Sequence, residues 1–326
     1  MVAVEHARRG SSLKGRNEPC NLLPETKEDR MAEFETKRVE GQESMVTVAA
    51  LQFEPLLGQV DRNREKLVEL TTRAFDQQAQ LIVAPEACTS GYVFNNRQEA
   101  GQCAEAVPDG PTVAALADLA GKNNGYIVTG LIEKEGALLY NTAVLVGPEG
   151  YIGKYRKTHL WDLDNTLYEP GNAFPVFNLP FGRVAMSICY DGWFPEVNRI
   201  YAAQGADIIC HPTNWVVVPG LAEPQNPSWV FAAAAQAACS GLIVVCADRI
   251  GTERGITFGG HSCVCGLPGV IQGPAAFDEE EVLITPINVM DARRKQVSPW
   301  NHLLRDRRTD LYDTMLGYDG CPPTGR

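Results

Sequence analysis

The stretch Gly182-Arg-Val-Ala-Met-Ser-Ile-Cys189-Tyr-Asp-Gly-Trp-Phe-Pro195-Glu196 carries the reading of the whole chain. Val184 to Ile188 is a short, mostly apolar run suited to a strand buried on both faces. It stops at Cys189, and Tyr190, Asp191 and Gly192 supply a turn. Pro195 suits the first turn of a helix running to about Gln204, where a missing N–H costs nothing. A thiol thus stands on a tight strand-to-helix corner, facing the positive end of a helix. Such a corner is expected to lower a cysteine pKa and to offer backbone N–H groups to a developing oxyanion. This is the logic of a nucleophile elbow with sulfur in place of a hydroxyl. A cysteine that merely ends a core strand fits the same stretch, so its surroundings have to decide.

Outward from this corner the pattern is regular. Val46–Phe53 reads as a strand, and Gln59 to about Gln78 as an amphipathic helix with Leu67, Leu70, Ala74 and Phe75 on one face. Leu81–Pro85 is a strand ending at Glu86, and Pro111–Asn123 a helix with proline near its start. Strands follow at Tyr126–Ile132, Tyr140–Val146 and Tyr151–Arg156, the last two joined by the turn Gly147-Pro-Glu-Gly150. After the elbow come a strand at Ala206–His211, an Ala-rich helix at Pro227–Ser240, a strand at Leu242–Ala247 and several short strands to Val289. A short helix near Asp291–Arg294 belongs to the tail. Strands alternating with helices over short connections indicate an α/β layered fold. Apolar strands on both sides of the helices suit two sheets packed as a sandwich, and a single doubly wound sheet is the alternative.

With 44% hydrophobic and 21% charged residues and 30 glycines, the chain reads as an ordinary globular protein with a large core. Its net charge of −11 argues against nucleic acid or an anionic membrane surface as partner. No apolar run approaches the ~20 residues of a membrane span, and the first residues are charged where a signal peptide needs an apolar segment. The ten cysteines are scattered, which fits reduced thiols in a cytoplasm. Residues 1–44 hold eight Lys/Arg and nine Asp/Glu with few large apolar residues. They read as a disordered or loosely helical extension, or as an arm packing on a partner subunit. Met45 directly precedes the first strand and is a candidate start codon. Residues 45–320 read as one domain.

Three apolar strands end in reactive side chains, Glu86, Lys157 and Cys189. Ligands of open α/β sheets bind beyond the carboxyl ends of strands, so the three are placed to meet in one pocket. Together they form a complete set for attack on a carbon–nitrogen bond. The carboxylate takes the thiol proton and later protonates the leaving amine, while the lysine cation and a backbone N–H, that of Tyr190, stabilise the oxyanion. Taken singly, Glu86 also suits a helix N-cap and Lys157 a solvated strand end.

The segments Ala84-Pro-Glu86-Ala, Lys154-Tyr-Arg-Lys157-Thr-His-Leu160 and Cys189-Tyr-Asp-Gly-Trp-Phe-Pro-Glu196 resemble the nitrilase superfamily of carbon–nitrogen hydrolases. Supporting matches are Asn141-Thr-Ala-Val-Leu, Pro212-Thr-Asn-Trp215, Arg249-Ile-Gly-Thr-Glu-Arg-Gly255 and Asp306-Arg-Arg-Thr-Asp-Leu-Tyr312, so the resemblance runs from about Val46 to Tyr312. It implies an αββα sandwich of two mixed sheets flanked by helices, pairing through its active-site side into homodimers or larger assemblies. It also implies an acyl-enzyme mechanism with Glu86 as base, Lys157 as oxyanion stabiliser and Cys189 as nucleophile. Many members carry a second glutamate between the lysine and a downstream Pro-Gly. Here that segment reads Trp161-Asp-Leu-Asp164-Asn-Thr-Leu-Tyr-Glu169-Pro170-Gly171, which puts Asp164 at that position with Glu169 as the alternative.

Cys-Tyr-Asp-x-x-Phe-Pro-Glu looks more like amidases and carbamoyl-amine hydrolases than like true nitrilases. The expected reaction is therefore hydrolysis of a small aliphatic or ω-amino amide to a carboxylate and ammonia, with nitrile or N-carbamoyl-amine hydrolysis as alternatives. Tyr92, Tyr190, Trp193, Asn214 and Trp215 are candidates to line the substrate pocket, where an aromatic wall suits an apolar group or a cation over a ring face. No phosphate loop or dinucleotide fingerprint is present, so no cofactor is expected. A papain-like pairing of Cys189 with His159 or His211 lacks its local context. A metal site from Cys210, His211, His261, Cys263 and Cys265 is disfavoured, because adjacent strand residues point to opposite faces. A catalytically silent binding protein on the same fold would be marked by loss of Glu86, Lys157 or Cys189, and all three are present.

Overall fold

The computed structural model describes residues 44–316. Apart from Ser44, the extension expected at 1–44 lies outside the described residues. Strand β1 (Met45–Gln52) leads into helix α1 (Val60–Asp76), strand β2 (Leu81–Val83) and helices α2 (Arg97–Gln102) and α3 (Pro111–Asn123). An antiparallel run of β3 (Tyr126–Glu135), β4 (Leu138–Gly147) and β5 (Gly150–Arg156) follows. One helical turn, α4 (Asp164–Leu167), precedes β6 (Val176–Leu179), β7 (Gly182–Met186), a 3₁₀ turn (Cys189–Trp193), α5 (Pro195–Ala203) and β8 (Ile208–Pro212). Next come α6 (Ser228–Ser240), β9 (Ile243–Ala247) and the small hairpin β10 (Thr252–Glu253) and β11 (Ile256–Thr257). Then follow β12 (Cys263–Gly266), β13 (Gly269–Gln272), β14 (Glu281–Asn288) and the short helix α7 (Val289–Arg293).

The larger strands form two six-stranded sheets, ordered β14-β1-β2-β3-β4-β5 and β13-β12-β9-β8-β7-β6. Each has a parallel block, β1-β2-β3 and β7-β8-β9, flanked by antiparallel strands. This settles the open choice in favour of two mixed sheets. Alternation along β1 shows how they are covered. Val46, Val48 and Ala50 join a buried cluster with residues of the second sheet such as Ile209 and Val245, whereas Ala49 and Leu51 face Leu67 and Leu70 of α1 and Leu116 of α3. Val197 and Tyr201 of α5 and Val230 and Ala237 of α6 cover the second sheet in the same way. Each fully buried leucine on α1 contributes about 1.5–3 kcal/mol, so Leu67→Ala costs about 2–5 kcal/mol once the cavity is counted.

Three differences from the sequence reading have local causes. The elbow strand ends at Met186 and not at Ile188, because the Asp191 carboxylate takes the Ile188 N–H at 2.9 Å and turns the chain out of the ladder. Helix α2 has no counterpart in that reading, although Asn96 caps it by accepting the Glu99 N–H and the Glu99 carboxylate accepts the Asn95 N–H at 2.7 Å. Neither do the two short elements α4 and β6, since four residues are too few to show a period.

Candidate active site

The carboxyl ends of β2, β7 and β8 in the parallel blocks, and of the antiparallel strand β5, run into loops that bring the candidate residues together. Cys189 opens its 3₁₀ turn with φ of 45°, a left-handed backbone that a β-carbon disfavours by roughly 1–3 kcal/mol. What holds it there is Asp191. Its carboxylate accepts from the Ile188 N–H, the Tyr155 hydroxyl (2.7 Å), the Thr158 hydroxyl (2.8 Å), the His159 N–H (2.9 Å) and His159 Nδ1 (2.7 Å). One buried carboxylate thus joins the elbow to the loop after β5, which carries Lys157. Beneath the turn, Gly192 lies on the His211 ring, where a Cβ would come within 3.0 Å of Nε2. His211 Nδ1 meets the Ser187 hydroxyl at 2.8 Å.

Lys157, fully buried, places Nζ 2.7 Å from Glu86 Oε1 and 2.9 Å from Asp164 Oδ2. Glu86 Oε1 also accepts from Asn141 Nδ2 at 2.7 Å, while the other oxygen, Oε2, is buried with no partner among the described residues. Asp164 Oδ2 accepts a further bond, from the Tyr92 hydroxyl at 3.0 Å. Of the two carboxylates left open by the sequence, Asp164 stands in the cluster. Glu169 is half-exposed and pairs with Arg97 at 3.3 Å. Glu86 is fixed from behind by β3. Gly130 donates to the Pro85 carbonyl and accepts from the Cys88 N–H, and a Cβ on it would lie 2.5 Å from Glu86 Cα.

Burial dominates the protonation of the cluster. Burial pushes Glu86 up, against the lowering by Lys157. In Lys157 the downward pull of burial is outweighed by Asp164 and Glu86, so the ammonium is held well above its ordinary range. Cys189 corrects the expectation of a lowered pKa. Burial, followed by the nearby Glu86 charge, raises it, and the opposing effects of Lys157, Thr213 and the Asn214 N–H do not compensate. Burial thus favours the thiol form at Cys189, and the neighbouring Glu86 Oε2 has no partner among the described residues. His211 is pulled down to about 4 by burial and is neutral, and it serves as packing for the elbow.

The other candidate liners divide. Tyr92 is in the cluster, with Lys157 Nζ 5.8 Å from its ring centroid. Asn214 is buried with both side-chain polar atoms unpartnered among the described residues, and its N–H faces the Cys189 sulfur. Trp215 stacks on Trp229, and its N–H donates to Asp248 Oδ1 at 2.9 Å. Tyr190 packs edge-on against Trp161 and Phe194, while Trp193 is 39% exposed at the end of the turn. Sequence reasoning did not single out Asn141, Thr213 or the hub role of Asp191, though all three lie within the quoted motifs. Among the described residues, no group of three or more His, Cys, Asp or Glu is arranged to hold a metal ion.

Residues 47–295 match the model of the carbon-nitrogen hydrolase family. This chain belongs to that family. The carbon–nitrogen hydrolase is 40% identical to a protein named nitrilase from Pyrococcus abyssi, over 82% of this chain and 99% of the relative. It is 31% identical to an N-carbamoylputrescine amidase of Solanum lycopersicum, over 86% and 97%. Among solved structures it is similar to an amidase from Nesterenkonia sp., with a TM-score of 0.71 and 25% identity over 84% of this chain and 98% of that one. A carbon-nitrogen hydrolase from Helicobacter pylori G27 gives a TM-score of 0.73 at 25% identity, over 83% and 98%. The two mixed sheets with their helices are thus the nitrilase fold, and the hydrolase sits in the amidase-like part of the nitrilase superfamily.

Proposed function

We propose that this carbon–nitrogen hydrolase converts a small linear amide, aliphatic or ω-amino, to its carboxylate and ammonia through an acyl-Cys189 intermediate. One observation carries the reading. Glu86 Oε1 is occupied by Lys157 and Asn141 while the buried Oε2 has no partner among the described residues, which is the arrangement a base facing a thiol requires. Because burial keeps Cys189 protonated, its attack on the carbonyl carbon is coupled to transfer of the thiol proton to Glu86. Two of the three Lys157 N–H groups point at carboxylates, and the third is left for the oxyanion together with the Tyr190 N–H at the start of the 3₁₀ turn. Collapse of the tetrahedral adduct breaks the C–N bond, and Glu86 returns the proton to the departing ammonia. Water then attacks the thioester, one of its protons passing through Glu86 to the sulfur as the C–S bond breaks, and the acid released gives its remaining proton to solvent as the carboxylate. Asp164 balances the Lys157 charge, and Tyr92, Tyr190, Trp193, Asn214 and Trp215 line or rim the acyl pocket.

Support also comes from a variant of the Nesterenkonia amidase with glutamine in place of one glutamate, described with the acetamide moiety of fluoroacetamide added covalently at its active-site cysteine. Nitrile hydrolysis is the second reading, favoured by the 40% identical relative named nitrilase. Carbamoyl-amine hydrolysis is favoured by the relatives named N-carbamoylputrescine amidase. We place the enzyme in the cytoplasm as a homodimer or larger homo-oligomer, with residues 45–320 as the catalytic domain and no cofactor. Among the described residues no helix is long and apolar enough to cross a membrane. The test is ammonia release from matched amides, N-carbamoyl amines and nitriles, with Cys189→Ala beside the wild type. Release from amides, lost in the variant, supports the reading; release from nitriles alone overturns the substrate class, and a live Cys189→Ala overturns the mechanism.

A further inference from the structure

Behind Tyr92 lies a buried ion pair that the chemistry above does not use. Arg249, 1% exposed, bonds Glu253 Oε2 at 2.6 Å and the Pro55 carbonyl at 3.0 Å, and its guanidinium lies 4.0 Å from the centroid of the Phe258 ring. Phe258 in turn meets the Tyr92 ring edge-on at 6.1 Å. The other oxygen of Glu253 accepts the Tyr92 N–H at 2.7 Å and also the Val93 N–H. The loop has little room to settle elsewhere, because a Cβ at Gly91 would lie 2.7 Å from Leu57 Cα and 3.0 Å from Glu253 Oε2. The Tyr92 hydroxyl shares Asp164 Oδ2 with Lys157 Nζ. A buried pair is weak evidence for stability alone, since desolvating two charges offsets most of their attraction. Here both ends of the pair point at one tyrosine, through its backbone and through its ring.

We propose that Glu253, clamped by Arg249, is a positioning residue that sets the Tyr92 hydroxyl on Asp164 and so aims the remaining Lys157 N–H at the oxyanion. The proposal rests on the acyl-transfer reading of the site. Removing the clamp lets the hydroxyl drift, Asp164 draws harder on Lys157, and the cation turns away from the substrate carbonyl. A misaimed oxyanion donor slows the chemical step and leaves ground-state binding nearly intact.

The test is a double-mutant cycle on turnover of the best substrate in the panel of amides, carbamoyl amines and nitriles. Glu253→Gln and Tyr92→Phe are each expected to lower kcat about 10-fold with KM moved less than about 3-fold. The double variant is expected to be no slower than Tyr92→Phe alone, because the hydroxyl through which Glu253 acts is already gone. Arg249→Met combined with Glu253→Leu removes both charges, leaves none unpaired, and is expected to fold and to show the same kcat loss. Losses that multiply to about 100-fold in the double variant, or an unchanged kcat in Glu253→Gln, overturn the relay. Cys189→Ala run alongside separates the two failures: a live Cys189→Ala strikes the acyl-transfer reading and the relay with it, whereas an inactive Cys189→Ala beside multiplying losses strikes the relay alone.

Discussion

The two sheets have the same plan, a parallel three-strand block flanked by antiparallel strands, and opposite roles at their carboxyl ends. The first delivers charge: Glu86 after β2 and Lys157 after β5, locked together at 2.7 Å and fully buried. The second delivers the thiol after β7 and neutral polar groups after β8, with His211 held uncharged under the elbow. Under the proposed mechanism, this division of labour is what lets a cysteine that burial keeps protonated act as a nucleophile. The second sheet places a sulfur on a strained backbone without lowering its pKa, and the first places the carboxylate and the cation that the proposal makes base and oxyanion partner. Asp191 couples the elbow of the second sheet to the Lys157 loop of the first, and Asp164 ties that loop to Tyr92 beyond β2.

The comparison breaks most sharply at the sulfur. Cys189→Ala should lower ammonia release by at least about 10³-fold with the thermal midpoint unchanged, since the fold loses a single atom there. A Cys189→Ala protein that keeps its turnover would remove the sulfur from the mechanism. On the first sheet, Lys157→Met should fail differently. It leaves Glu86 and Asp164 buried without their cation, and an unfolding titration should show about 3–5 kcal/mol lost along with activity. A Lys157→Met protein as stable as the wild type would mean that the buried charges on that side are relieved in another way.

The neutral side has its own pH signature. His211 is lowered from 6.5 in the unfolded chain to about 4 in the folded one, so the unfolded state binds the extra proton between those values. Its contribution to stability is then complete above about pH 6.5 and is lost as pH falls toward 4. Denaturant titrations at about pH 7 and about pH 4.5 should differ by roughly 2–3 kcal/mol more in the wild type than in His211→Asn. Equal differences in the two proteins would mean that folding leaves the His211 pKa unshifted. The smallest effect is expected at Trp193, which is 39% exposed. Trp193→Ala should change kcat/KM by less than about 3-fold, measured on the same substrate. A larger loss would move this ring from the rim into the pocket.

Much of the plan was legible in the sequence because it is written in local signals. The apolar runs of β1, β3 and β4, the proline at the start of α3 and the Gly147–Gly150 turn all stand where their periodicity and turn chemistry put them. Glu86 and Cys189 are legible because each follows an apolar run, and Lys157 because it follows a strand beside them in the motif order. The choice between Asp164 and Glu169 needed the fold, since α4 is a single turn and only its orientation brings Asp164 to Lys157. The direction of the Cys189 shift needed it too. A helix start lowers a thiol pKa through its N–H groups, but burial is set by residues far along the chain and here outweighs them. Asp191 reads as a turn residue, and its donors come from two segments about 30 residues apart in sequence that meet only in the folded protein.

Gly130 has a consequence for variation in the gene. Any side chain there would collide with the backbone of Pro85, Glu86 and Ala87, and no rotamer escapes a clash with main-chain atoms. A library randomised at codon 130 and selected for ammonia release should return glycine alone, while the same library screened only for expression should return other small residues as well.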